Sequence, residues 1–351
     1  MDIDIPIVDL TQYLKSGVDE NACKDVTRAM EEYGILILRD PRVNPSLPNR
    51  YRAMMEQFYR LTPEVKARYI QPTLPNGKQI YETGWRPPFT EKPRRRAEVL
   101  HLIAPDMMPP EPPTADPKER FMDPVGPRPE NSEFPELDYL PNITPVEIED
   151  FRTLSDAWGD AMRGALMTSM EMLAIGFGEP ADLFTSRLNG GIVKLAPTGL
   201  DLSKHGAAGT VAAGFHNDLS AVTIHGRSNY SGLWCYRRDW TRFPARMPSD
   251  EYLLLQCGRT LEHFTAGRTS RGYHYVQIGE ESQDKIRAEL DQGTYPWRVS
   301  TTMFANTRTS EWLEPIGRFV NEPAAEHYHA QRVRCGTRMM KTLTDKVVKA
   351  A

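Results

Sequence analysis

The hydrophobic period changes in the second half of the chain, and this change restricts the fold more than any other feature of the sequence. After Pro180 the apolar residues no longer follow a helical spacing and instead form short runs with alternating or β-branched character. Gly, Pro, Asn or Asp turns separate six such runs, at residues 192–195, 221–224, 233–236, 252–255, 273–278 and 297–304. A succession of short strands is typical of a barrel or a jelly roll.

The first half of the chain has mainly helical patterns. Helices are predicted at about 21–33 and from Pro63 onward, and the longest one follows the capping box Thr144-Pro145-Val146-Glu147. The segment 104–145 holds twelve of the 29 prolines, which indicates a surface excursion without a central strand. The glycine-rich stretch 197–215 is predicted to be a mobile loop, and a last helix is expected at about 324–348.

Composition excludes several classes of protein. Hydrophobic residues at 40% and charged residues at 26% are ordinary for a globular chain, and the net charge of -4 gives no nucleic-acid footprint. The four cysteines are scattered, so neither a zinc site nor a disulfide framework is indicated. The chain has no signal-like N-terminus and no run of about 18 apolar residues. We therefore expect a cytoplasmic protein without a membrane partner.

One short motif indicates metal chemistry. His216 and Asp218 are two residues apart, so in an extended segment they point the same way and can share one metal ion. A second imidazole would complete the two-histidine, one-carboxylate set that leaves open positions on a non-haem Fe(II). The spacing alone leaves His225, His263 and His274 as candidates for that imidazole. The alternative is a strand histidine hydrogen-bonded to a turn aspartate.

Four stretches, in this order, carry a resemblance to a known family: residues 5–10, residues 33–38, the His-x-Asp motif, and residues 265–274 continuing to 298–300. Together they resemble the isopenicillin N synthase-like group of Fe(II)/2-oxoglutarate-dependent dioxygenases. The resemblance places the second histidine ligand at His274 and implies Fe(II), 2-oxoglutarate and O2.

The fold class expected from these patterns is α+β, with a double-stranded β-helix (jelly-roll) core flanked by N-terminal helices and a C-terminal helix. We expect one unit over residues 1–351. Its parts would be a mainly helical 1–185 with the excursion 104–145, a catalytic core at 186–315, and a C-terminal helix at 316–351.

The resemblance also implies where 2-oxoglutarate binds. Arg298 and Ser300 share one face of a strand and can hold one carboxylate together, as Arg-x-Ser does in the family. Here more residues separate the distal histidine from this arginine than the family usually has, so Arg271 and Arg308 are alternative anchors. Asn189 and Lys194 lie in the region that the family uses around the other carboxylate.

Substrate selection is expected in the N-terminal half, which covers the barrel mouth in the family. The candidate substrate-binding residues are Tyr81, Trp85, Arg95, Arg96, Glu98 and His101. The basic cluster at 94–96 suggests a small anionic substrate; the alternative is a solvated charged face. We expect a monomer that does not bind nucleic acid.

The implied reaction oxidises an unactivated C–H bond of a small metabolite by hydroxylation, desaturation or ring closure, with release of succinate and CO2. Two alternatives remain at this point. One is an iron oxidase that does not use 2-oxoglutarate, like isopenicillin N synthase itself. The other is a metal-binding jelly roll that acts as a sensor or scaffold without catalysis.

Overall fold

Helices and strands alternate in the first half of the chain, and strands dominate the second. The computed structural model describes residues 5–74, 77, 79–93 and 97–346. Its α-helices are α1 Thr11–Ser16, α2 Glu20–Glu32, α3 Leu47–Arg60, α4 Pro63–Ala67, α5 Ala97–Leu100, α6 Pro135–Asp138, α7 Phe151–Gly176, α8 Asp182–Leu188, α9 Leu202–His205, α10 Arg259–Phe264, α11 Gln283–Asp291, α12 Ala325–His329 and α13 Cys335–Lys346. Short 3-10 turns are Pro105–Met107, Glu280–Ser282 and Gly317–Asn321.

The strands of the described chain form two large sheets and a small one. They are β1 Ile7–Asp9, β2 Ile35–Arg39, β3 Gly84–Arg86, β4 Glu119–Val125, β5 Val193–Leu195, β6 Thr198–Asp201, β7 Val211–His216, β8 Val222–Gly226, β9 Leu233–Tyr236, β10 Arg242–Pro244, β11 Tyr252–Cys257, β12 His274–Gln277, β13 Trp297–Ala305, β14 Trp312–Leu313 and β15 Val333–Arg334. The larger sheet has the order β1-β2-β11-β8-β13-β5-β4-β3, and β6 pairs with both β13 and β4. The second sheet has the order β10-β9-β12-β7, while β14 pairs with β15.

This architecture confirms the α+β class with a jelly-roll core. All six predicted strands are present, as β5, β8, β9, β11, β12 and β13. The helix α7 packs against α2 and α3, and α3 in turn covers β13. The predicted apolar face of α7, which includes the fully buried Trp158, lies in the main hydrophobic core. Gly34 ends the turn after α2 with a φ of 65°, a conformation that glycine adopts without strain.

The start predicted for the longest helix is wrong. The capping box does not open α7, which begins at Phe151 after Asp150 in a left-handed conformation with φ 57°. Glu147 instead accepts hydrogen bonds from the Tyr69 hydroxyl and from Arg68. Because its carboxylate is bound to another segment, it is not available to cap a helix.

The Pro-rich segment 104–145 was expected to lack a central strand, and this expectation is also wrong. It contains β4, which lies between β5 and β3 in the larger sheet. Pro124 is tolerated there because β3 pairs only with residues 120–122, so the ladder at Pro124 is formed with β5 alone.

Three further boundaries differ from the sequence expectation. The stretch 197–215, expected to be a mobile loop, contains β6, α9 and most of β7. The predicted C-terminal helix is divided into α12, β15 and α13, and residues 347–351 lie outside the described chain. The larger sheet contains strands from both sides of the expected boundary at residue 185, because β1 to β4 pair with strands of the second half of the chain. No helix in the described ranges is long and apolar enough to cross a membrane.

Candidate metal centre and adjoining cavities

Two neighbouring strands of the smaller sheet bring two histidines together. His216 is the last residue of β7 and is the register partner of His274, the first residue of β12. Their ring centroids lie 4.2 Å apart. Sequence spacing could not reveal this pairing, because it depends on the antiparallel register of strands that are far apart in the chain.

Asp218 joins the pair from beyond the end of the strand. Its Oδ1 lies 3.8 Å from His216 Nε2. The ligand atoms of His216, Asp218 and His274 all lie within 4.8 Å of one another, so a single ion could contact all three. Because β7 ends at His216, strand periodicity does not place Asp218. It is held instead by the Arg259 N–H, which donates to the Asp218 carbonyl over 2.9 Å.

Hydrogen bonds leave one free ligand atom on each of these side chains. His216 Nδ1–H donates to the Gly214 carbonyl over 2.7 Å. His274 Nδ1 lies 3.0 Å from the Gly272 carbonyl and 2.7 Å from the Gln256 amide nitrogen. Both Nδ1 atoms are thus engaged within the protein, which leaves the two Nε2 atoms to face a metal. Thr223 Oγ1 donates to Asp218 Oδ2 over 2.6 Å, which leaves Oδ1 facing His216.

The electrostatics favour the protonation states that a metal needs. Burial, together with the nearby His274, lowers the pKa of His216 well below its ordinary value. Burial alone would raise the pKa of Asp218, but His274, His216 and the Thr223 hydrogen bond lower it below the ordinary value. Neutral imidazoles beside a carboxylate are the forms that bind divalent metals.

Two cavities adjoin the three side chains. The small cavity, of about 70 Å³, is lined by all three and by Arg298, Ser300 and His225. The large cavity, of about 140 Å³, is lined by His216 and Asp218 and by charged side chains of the N-terminal half. Lys118, Arg120 and Phe304 border both cavities.

Arg298 is the cation of the small cavity. It is only 6% exposed, and its Nε donates a hydrogen bond to the Ser231 carbonyl over 3.1 Å. Burial lowers the pKa of its guanidinium to about 10. Arg271 forms an ion pair with Glu262, and Arg308 forms one with Glu311. The two alternative anchors are therefore already neutralised, and neither lines the small cavity.

The two other expected co-substrate residues lie elsewhere. Asn189 is exposed at the end of α8, where its Oδ1 accepts from Arg163 over 3.2 Å. Lys194 is buried and pairs with Glu82; it lines the large cavity, not the small one. The prediction that both surround the co-substrate is not supported, because β5 directs Lys194 toward the Glu82 carboxylate.

Only part of the expected substrate-binding set lines a cavity. Tyr81 lines the large cavity. Trp85 is buried in the main core, and its ring nitrogen donates to Glu119, so the expectation that it binds substrate is wrong. Glu98 and His101 are exposed and are not among the lining residues. Arg95 and Arg96 lie outside the described residues.

Sequence reasoning missed several residues of this region. His225 was expected to be a solvated or core histidine, but it lines the small cavity, and its Nδ1 lies 3.1 Å from Thr302 Oγ1. Burial, with His274 nearby, lowers its pKa to about 4, so it is neutral at physiological pH. The sequence did contain a signal for it, because His225 is two residues from Thr223 on the strand after the metal motif and therefore lies on the same face of that strand. Lys118 and Arg120 gave none, because they lie in the Pro-rich segment.

The comparisons with known proteins agree with this geometry. Residues 5–123 match the family described as non-haem dioxygenase in morphine synthesis, N-terminal. A search of curated proteins finds no significant match.

Solved structures with the same fold cover almost the whole chain. A protein from Caulobacter crescentus, assigned to the 2OG-Fe(II) oxygenase family, is 17% identical with a TM-score of 0.74, covering 97% of this chain and 98% of that one. A full-length protein from Neurospora crassa, in complex with alpha-KG and thymine, is 18% identical with a TM-score of 0.72, covering 97% of this chain and 96% of that one.

A third similar structure is the dioxygenase for auxin oxidation 1 from Arabidopsis thaliana, bound to 2-oxoglutarate. It is 19% identical with a TM-score of 0.61, covering 92% of this chain and 99% of that one. The family match covers about a third of the chain, and the solved structures show that the chain has the fold of 2OG-Fe(II) oxygenases over nearly its whole length.

Proposed function

We propose that His216 Nε2, Asp218 Oδ1 and His274 Nε2 hold the catalytic Fe(II). The observation that carries this proposal is the convergence of three buried or half-buried ligand atoms from separate segments within 4.8 Å. The donor set fits the metal, because two neutral imidazoles and one carboxylate leave coordination positions open for co-substrates. When bound, Fe(II) supplies the oxygen-activating chemistry that oxidises a C–H bond, with 2-oxoglutarate converted to succinate and CO2.

We propose that Arg298 and Ser300 bind the far carboxylate of 2-oxoglutarate. Both line the small cavity together with the three proposed ligands. A buried guanidinium without a carboxylate partner among the described residues favours an anion strongly, since its charge has already been removed from water. The small cavity would therefore orient the ketoacid with one end at Arg298 and the other toward His216 and His274.

The primary substrate is then expected in the large cavity, which is also lined by His216 and Asp218. We propose that it is a small molecule bearing a carboxylate, oxidised by hydroxylation, desaturation or ring closure. Support comes from the charges of the described lining residues, since Arg86, Lys118, Arg120 and Lys194 outnumber the carboxylates Glu82, Glu91 and Asp116 that pair with them.

The experiment is an assay of succinate formation by iron-loaded protein with and without 2-oxoglutarate, combined with a panel of small carboxylates read by product mass. The mass of the product separates hydroxylation, which adds oxygen, from desaturation or ring closure, which removes two hydrogens. Asp218→Ala is expected to abolish succinate formation. Oxygen consumption that is independent of 2-oxoglutarate would contradict the proposal.

A further inference from the structure

Arg120 occupies the boundary between the two cavities. It lies on β4, pairs in register with Thr198 on β6 and with Arg86 on β3, and lines both cavities. Its Nε donates to Thr198 Oγ1 over 3.1 Å, and its guanidinium carbon lies 5.5 Å from the centre of the Phe304 ring. The hydrogen bond and the aromatic ring fix the plane of the guanidinium group.

Among the described residues, the charges that line the large cavity do not balance. Four cationic side chains, Arg86, Lys118, Arg120 and Lys194, face three carboxylates that are not proposed iron ligands, Glu82, Glu91 and Asp116. Exposed Lys92 adds a further positive charge at the edge. An excess of buried positive charge is costly unless an anion neutralises it.

Of these four cationic side chains, Arg120 has the weakest contact with a carboxylate of the cavity. Lys194 pairs with Glu82, and Lys118 pairs with Asp116. The Glu91 carboxylate lies 2.5 Å from Arg86 and 3.1 Å from Lys118, but 3.6 Å from Arg120 Nη1, beyond direct hydrogen bonding. The Arg120 side chain remains 15% exposed, and it borders the cavities.

We propose that Arg120 binds the carboxylate of the primary substrate and selects small organic acids over neutral analogues of the same shape. This inference rests on the proposed function of the site. The far carboxylate of 2-oxoglutarate already has Arg298 and Ser300, whereas an acid in the large cavity meets Arg120 on the side of His216 and Asp218. The planar fork of arginine suits a carboxylate and gives a neutral amide no charge-assisted bond.

The test uses two acid–amide pairs as probes: hexanoate and hexanamide, and phenylacetate and phenylacetamide. With Mn(II) and 2-oxoglutarate present, the rise in thermal midpoint of the full chain on adding a probe measures binding of that probe without turnover. With Fe(II) in place of Mn(II), the amount of succinate released measures whether the bound probe stimulates conversion of 2-oxoglutarate. The variants are Arg120→Gln, the charge-retaining Arg120→Lys, and Arg287→Gln, which makes the same change at an arginine that is 70% exposed.

We expect at least one acid to raise the midpoint and the succinate yield while its amide does neither. Arg120→Gln should require about 30-fold more acid for half-saturation, as expected when one member of a desolvated charge pair is removed. Arg120→Lys should lie between Arg120→Gln and wild type, and Arg287→Gln should behave as wild type. The half-saturation concentration of 2-oxoglutarate should not change in any of these variants.

Three results would overturn the inference: no response to any acid, an equal response to acids and amides, or weakened 2-oxoglutarate binding by Arg120→Gln with the acid response intact. The last result would show that Arg120 binds 2-oxoglutarate and not the primary substrate. Failure of the wider proposal would look different, because wild-type protein with Fe(II) would then form no succinate under any condition. The thermal shift caused by the acids needs no turnover and would still report on Arg120.

Discussion

Replacing Arg298 by methionine should remove most of the affinity for 2-oxoglutarate while leaving iron binding unchanged. Methionine keeps much of the side-chain length but removes the charge and the donors. Arg298 is 6% exposed, so the carboxylate that it binds would be removed from water as well. Truncating one member of such a desolvated charge pair costs about 2–5 kcal/mol, or roughly 30- to 5000-fold in dissociation constant.

The assay is a calorimetric titration of 2-oxoglutarate into protein loaded with Mn(II), which binds without reacting. Arg308→Met is the matched control, because Arg308 is 43% exposed at its side chain and pairs with Glu311 away from the small cavity. The control should bind the ketoacid as wild type does. Equal affinity of Arg298→Met and wild type would refute the assignment of Arg298.

The pH dependence gives a second measurement on the same residue. Burial lowers the pKa of Arg298 to about 10 in the ligand-free protein, and a bound carboxylate would favour the charged form. Affinity for 2-oxoglutarate should therefore be constant through neutral pH and should fall as the pH rises past about 10. An affinity that is flat through this range would contradict the lowered pKa of Arg298, and the Arg298→Met titration would remain the test of the pairing.

Three other changes have definite expected outcomes. Thr223→Val removes the hydrogen bond to Asp218 Oδ2 and should lower Fe(II) affinity about 10- to 100-fold, measured by competition with a chelator, while the thermal midpoint changes little. Lys194→Met removes one of the two buried cations that pair with Glu82 and leaves Arg86, so it should cost about 1–3 kcal/mol of unfolding free energy, while 2-oxoglutarate affinity stays at the wild-type level; a loss of that affinity would restore Lys194 as a co-substrate residue. Burial lowers the pKa of His263 from 6.5 to about 3, so protonation of the unfolded chain should remove about 3 kcal/mol of stability as the pH falls from 6.5 to 4. His263→Phe should flatten that fall in a series of urea denaturation curves, and an unchanged slope would show that other groups cause it.

The strands of the second half could be predicted from the sequence because each has a short alternating pattern between turn residues. The strand β4 could not, since its prolines indicate an irregular segment and its partners β3 and β5 are distant in the chain. Propensity describes a segment alone, whereas the place of a strand in a sheet depends on its neighbours. The segment that looked least structured therefore carries Arg120.

The candidate site was predictable only where local spacing or family resemblance applied. His216, Asp218 and His274 were expected together, and the structure brings them together. Gln256 could not be expected, although its Nε2 lies 2.7 Å from His274 Nδ1 and 3.5 Å from Asp218 Oδ2. It reaches them from β11, and this contact across strands has no signature in the sequence.

The central claim is that three side chains from separate segments bind one iron. Anomalous diffraction at the iron edge, from crystals grown without oxygen in the presence of Fe(II) and 2-oxoglutarate, tests it most directly. A single strong peak is expected in bonding contact with His216 Nε2, Asp218 Oδ1 and His274 Nε2. A peak at other side chains, or no peak between these three at full iron loading, would contradict it.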